Sequence, residues 1–228
     1  MTVKARKLPK RTQLTADAIA RTALALADAE GLDNFSYRNL AKKLGCEAMS
    51  IYHYYPSKAH LLDAMVALCL AELTFLPAHL PWQDRLRHGA AGWRTLALRH
   101  PGFFPFLAVY RLNSPEGLAM LDQVVSVFRA AGLSPEGQAR GFRVFGYYIT
   151  GAALDEAIGY AKGPSSANPL PDGVAAAKFP AITGIGTWFA REHHKSTFDL
   201  GVEMLVRGIE DLLAREANNK GGGPVATA

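Results

Sequence analysis

The chain has 228 residues, 49% hydrophobic and 20% charged, with a formal net charge of +5, a balance ordinary for a soluble globular protein of one large domain or two smaller ones. No uncharged apolar run approaches the ~18 residues of a membrane span, and Asp17 interrupts the basic opening "MTVKARKLPKR" before a secretory core can form. Cys46 and Cys69 have neither metal-ligand nor redox spacing, so reduced thiols in a cytoplasmic protein are expected.

The charge is unevenly spread. Residues 1–60 hold ten Lys/Arg against five Asp/Glu, whereas residues 61–228 hold fifteen of each. The whole excess therefore lies in the first quarter, as for a polyanion-binding head on a neutral body. A solvated basic arm gives the same count, because Lys4, Arg6, Lys7, Lys10 and Arg11 alone supply five charges.

In chain order, Thr15 is placed to cap a first helix, "ADAIARTALALADAEG", with Ile19, Ala23, Leu26 and Ala27 on one face and Gly31 as its stop. Ser36 caps a second, "YRNLAKKLG", closed by Gly45. The stretch "EAMSIYHYYPSK" gives a third, and Ser57 opens a fourth that runs to Pro77. Further helices are expected at 82–99, 101–110, 115–131, 135–161, 181–192 and 197–216. "KGPSSANPLPDG" reads as a loop and "NNKGGGPVATA" as a tail too polar to order itself. No alternating apolar pattern of strand length stands out. The expected fold is all-α: an arm and three-helix domain over 1–60, a larger helical body over 61–216 joined through the helix at 57–76, and a disordered tail at 217–228.

The second and third helices carry the functional signal. Ala41 falls where two helices must pass closely, and Gly45 where the chain leaves a helix in a left-handed conformation. Leu40, Leu44, Ile51 and Tyr54 supply apolar contacts between them. This is the spacing of a helix-turn-helix, whose second helix enters the DNA major groove. At ~100° per residue, Ile51, Tyr54 and Tyr55 share the core side of the third helix, while Met49, Ser50, Tyr52 and His53 face outward.

Over Thr15–Leu62, "FSYRNLAKKLG" followed by "SIYHYYPSKAHLLDAM" resembles the TetR family of bacterial transcriptional repressors, and "FDLGVEMLVRGIEDLL" is similar to the last helix of some members. The resemblance implies a homodimer that binds double-stranded DNA at a near-palindromic operator, with a divergent C-terminal domain for a small-molecule ligand. Carried over position by position, it assigns DNA contacts to Ser36, Tyr37 and Arg38, to Ala48, Met49, Ser50, Tyr52 and His53, and to Lys58. Ala48 and Met49 replace the polar or glycine residues common in the family, so direct readout rests on thymine methyls and Arg38.

The body carries no match that fixes a ligand. Its aromatics read as core, yet few charges accompany them over 93–150, which favours a hydrophobic or aromatic ligand. Trp93, Phe103, Phe104, Phe128, Phe145 and Tyr148 are the candidate lining. Dimer contacts are expected from 135–161, with Gly141, Gly151 and Ala152 allowing close approach. The other dimer helix, 197–216, carries the stripe Phe198, Val202, Leu205, Ile209 and Leu212. His193 and His194, being adjacent, point ~100° apart and read as a polar helix end rather than metal ligands. No metal and no cofactor is expected. Two other readings are a helix-turn-helix regulator whose body recruits a protein, and an all-α enzyme with a basic arm; no nucleophile–base pair or phosphate loop supports the enzyme.

Overall fold

The computed structural model describes residues 14–159 and 166–221. Among them every regular element is helical. The chain divides into two compact units, Met1–Leu68 and Cys69–Ala228.

The first unit holds α1 (Ala16–Glu30), α2 (Tyr37–Leu44), α3 (Ala48–Tyr52) and most of α4 (Lys58–Leu70). The Thr15 hydroxyl accepts the Ala18 N–H and the Ser36 hydroxyl the Asn39 N–H, so both helices start where a short polar side chain satisfies an otherwise orphaned donor. Its buried residues include Ile19, Ala23, Ala27, Phe35, Leu40, Ala41, Ile51, Leu61 and Met65.

The second unit is built from α5 (Trp82–Arg99), α6 (Phe104–Val109), α7 (Pro115–Ala130), α8 (Pro135–Leu154) and α11 (His194–Gly221), with two short helices, α9 (Asp172–Lys178) and α10 (Pro180–Thr183), between α8 and α11. α5, α7, α8 and α11 enclose a core that includes Leu86, Phe128, Phe145, Phe198, Val202 and Ile209. Polar ties cross this core's edges. Arg87 holds Glu203 in a two-pronged pair at 2.6 and 2.9 Å, joining α5 to α11. Glu216 of α11 accepts both the N–H and the hydroxyl of Ser134, the residue that caps α8.

The structure corrects several expected boundaries. The fourth helix ends at Leu70 instead of continuing to 76. The Glu72 and Leu73 N–H groups turn back to Cys69 and Leu70, and the Glu72 carboxylate is taken by Arg99 at 2.5 Å and by His100 at 3.1 Å. The helix expected at 101–110 begins only at Phe104. That at 135–161 is α-helical to Leu154 and then widens into a π turn over Asp155–Gly159. No single helix covers 181–192: Pro180 starts α10, Gly184 and Gly186 follow it, and two single 3-10 turns lead to α11. The last helix extends through Gly221, so residues 217–221 of the expected tail are helical; the remainder, like the basic arm, lies outside the described residues.

The expected dimer stripe also has a different partner. Phe198, Val202 and Ile209 are buried in the second unit's own core, and Gly141 is pressed against the Phe128 ring. The exposed apolar side chains of α8 and α11 are instead Val144, Tyr147, Leu200 and Met204.

Candidate nucleic-acid interface and ligand cavity

The turn between α2 and α3 is set by backbone geometry. Gly45 is left-handed (φ 67°, ψ 34°). The Cys46 N–H donates to the Ala41 carbonyl and the Gly45 N–H to that of Lys42, the pair of bonds that closes a helix around a left-handed glycine. α3 has five residues and cannot stand alone. Fully buried Ile51 anchors it, and tyrosine hydroxyls fasten the chain just beyond it. Tyr54 donates to the Leu14 carbonyl at 2.7 Å, Tyr55 to that of Ala16 at 2.9 Å, and Tyr37 to that of Tyr55 at 3.2 Å. Burial pushes the Tyr37 and Tyr55 phenols up, aided by neighbouring tyrosines for the first and Asp17 for the second, so both remain donors. Tyr54 is 43% exposed. It is a tether to the start of α1, not the core plug that helical periodicity implies.

Met49 (68% exposed), Tyr52 and His53 face outward, Ala48 and Ser50 are half-buried, and Arg38 and Ser36 are exposed at the start of α2. The Tyr37 and Tyr52 rings meet at 4.7 Å, and the Lys58 ammonium lies 5.7 Å from the centre of the Phe35 ring. Those two contacts bring the start of α2, the end of α3 and the start of α4 together. Tyr37 and Ser36 also have internal duties, as tyrosine bolt and helix cap. Neither the bolts nor the Lys58–Phe35 contact can be found from spacing; the signal available was three phenolic tips crowded around a helix too short to stand alone.

The second unit contains a cavity of about 250 Å³. α5 contributes Leu86 and Trp93, α8 contributes Phe142, Phe145 and Ile149, and Leu73 and Phe75 close it from the irregular segment after α4. Its polar groups are few. The Trp93 indole N–H donates to the Thr150 hydroxyl at 3.2 Å, and the Thr74 hydroxyl is paired with His88 at 2.9 Å. Arg85 is the one charged residue in the lining.

Of the six aromatics expected to line a pocket, Trp93 and Phe145 do. Phe103, Phe104 and Phe128 are fully buried packing residues outside this lining. Tyr148 donates its hydroxyl to the Phe198 carbonyl at 2.9 Å, its ring filling space that a side chain at Gly201 would occupy. Nothing in the spacing of Phe142, Ile149, Leu73 and Phe75 separates wall from core. Among the described residues no group of three or more His, Cys, Asp or Glu could hold a metal ion, and no helix is long and apolar enough to cross a membrane.

Residues 19–65 match the family described as bacterial regulatory proteins, tetR family, and residues 76–213 match the tetracyclin repressor-like C-terminal domain. The chain belongs to the TetR family. It is a DNA-binding transcription regulator and not an enzyme. A repressor of Streptomyces coeruleorubidus, DrrR1, is 31% identical over 159 residues, 65% of this chain and 55% of its own length, so the chain matches little more than half of that relative. An HTH-type transcriptional regulator of Saccharopolyspora erythraea is 27% identical over 205 residues, 86% of this chain and 84% of its own. Among solved structures, Streptomyces coelicolor ActR in complex with (S)-DNPA has a TM-score of 0.68 at 25% identity, covering 89% of this chain and 98% of that one.

Proposed function

We propose that this TetR regulator is a cytoplasmic, homodimeric repressor that binds a near-palindromic operator and is released from it by a small, largely hydrophobic or aromatic ligand. The first unit is the DNA-binding head, with α3 in the major groove. There Met49 and His53, with Ala48 and Ser50, face base edges; Ser36, Tyr37, Tyr52 and Lys58 hold the backbone, and Arg38 reaches both a phosphate and a base. The second unit binds the ligand and dimerises through the exposed faces of α8 and α11.

The observation that carries the sensing half is the cavity, walled by aliphatic and aromatic side chains and closed partly by Leu73 and Phe75, just beyond the end of α4. A small-molecule complex of the ActR neighbour supports it. A regulator that only recruits another protein has no use for such a space. The ligand must bind the released state more tightly than the DNA-bound one, since equal affinity shifts nothing. Footprinting on the DNA upstream of the protein's own gene, with and without added ligands, tests the reading. Protection of two half-sites that ligand relieves is expected; protection that no aromatic or apolar ligand relieves favours the recruiting alternative.

A further inference from the structure

Four arginines lie on α5, and three of them hold carboxylates. Arg87 is paired with Glu203 and Asp84, Arg94 with Glu156, and Arg99 with Glu72. Arg85 lines the cavity, and its side-chain partner among the described residues is the Ser126 hydroxyl at 3.4 Å, the long limit of such a bond. Ser126 directs its own proton to the Gln123 carbonyl at 2.6 Å. The two threonines of the lining are already partnered, Thr150 by Trp93 and Thr74 by His88. The lining therefore combines apolar walls, satisfied neutral groups and one arginine whose guanidinium keeps most of its five donors unspent. A half-buried cation in such a setting gains most from an anion brought to it with the ligand.

We propose that the cavity takes an amphipathic organic acid, aromatic or alicyclic in body, whose single anionic group is held by Arg85. This rests on the cavity being the effector site. A carboxylate, or an acidic phenol of the same shape, meets the fork of Arg85 with two parallel hydrogen bonds, while the ring system displaces solvent from the wall formed by Trp93, Phe142 and Phe145.

The test uses the full chain and two probes of the same shape, naphthoate and its uncharged amide, with binding measured by equilibrium dialysis. The acid should bind about tenfold more tightly than the amide, as one charge-assisted contact predicts. Arg85→Gln should bring the ratio of the two affinities to about one, and Arg85→Lys should keep part of it, because the charge remains without the fork. Gly89→Leu should abolish binding of both probes: Gly89 lines the cavity and a Cβ there meets nothing within 4 Å, so the side chain can occupy the space. Equal affinity for the two probes, or a preference that survives Arg85→Gln, overturns the acid assignment and leaves the cavity a ligand site. Binding of neither probe, or binding untouched by Gly89→Leu, overturns both readings.

Discussion

On the proposed interface, Met49 and Lys58 would offer DNA different chemistry. Lys58 begins α4, where helix-end N–H groups already favour a phosphate, and its ammonium carries no sequence information. Lys58→Ala should weaken binding about equally for every operator variant. Met49 has no charge to give and projects from α3, so Met49→Ala should leave the salt dependence alone and relax preference at one or two base pairs by ~1–3 kcal/mol. Titration of both variants against single-base operator changes at two salt concentrations separates the roles; a reordering by Lys58→Ala alone would mean a different docking. Met49, Tyr52 and His53 were legible as outward because a helix's periodicity shows which side chains point away, whereas Ser50, expected with them, is half-buried. The tyrosine bolts were not, because the bonds from Tyr54 and Tyr55 reach carbonyls 40 and 39 residues earlier and depend on how α1 crosses α3. Tyr54→Phe and Tyr55→Phe should each cost about 1 kcal/mol in urea unfolding and weaken operator binding by loosening α3. Unchanged stability in both would show that water replaces the bonds at no cost.

At the scale of elements, helix starts were readable where a serine or threonine precedes an apolar period, as at Thr15 and Ser36. Ends decided by distant side chains were not. α4 stops at Leu70 as Glu72 turns toward Arg99 and His100, residues on a stretch whose position no local pattern gives. The ties between helices differ in worth. Arg94 and Glu156 are only 16% and 10% exposed and form a two-pronged pair at 2.6 and 2.5 Å. Arg94→Met alone should therefore cost about 3–5 kcal/mol by stranding Glu156, and adding Glu156→Leu should recover much of it. A double mutant as unstable as the single in thermal melts would place the cost in packing instead. Arg87 and Glu203 are both 41% exposed, so solvent screens that pair and its contribution is small. Its pH dependence still has a definite sign. Hydrogen bonding from Arg87 holds the Glu203 carboxyl below its ordinary 4.5, against a smaller opposing effect of burial and with help from the Arg87 and Arg207 charges. A depressed folded-state value stabilises above 4.5, and that stability is lost as pH falls through it. Melting temperature should drop between pH ~6 and ~3, and Glu203→Gln should shallow the drop slightly. A steeper drop in that variant would contradict the assignment.

For the whole molecule, the sequence revealed that the last helix has one apolar face but not what covers it. Phe198, Val202 and Ile209 lie in the buried core of their own chain with residues of α5, α7 and α8, whereas Leu200 and Met204 stand 56% and 63% exposed. A stripe is a statement about burial, and intrachain and interchain burial leave the same trace in it. The two positions consequently separate folding from assembly. Ile209→Asp buries an unpaired charge and should unfold the second unit. Met204→Asp should leave a folded chain that sediments as a monomer at micromolar concentration. A dimeric Met204→Asp protein would move the proposed interface off that face of α11.

Trp93 has a use beyond packing. Its indole belongs to the cavity wall, bonded to Thr150 and edge-on to Phe104 at 5.3 Å. The chain has three tryptophans; Trp82 packs against the second unit's core and Trp188 is 68% exposed. Indole emission responds to local polarity and to the fate of its N–H bond. With Trp188→Phe removing the solvent-exposed background and Trp82 contributing a constant one, a ligand entering the proposed site should change the emission through Trp93, which would make the regulator a label-free optical gauge of its own occupancy.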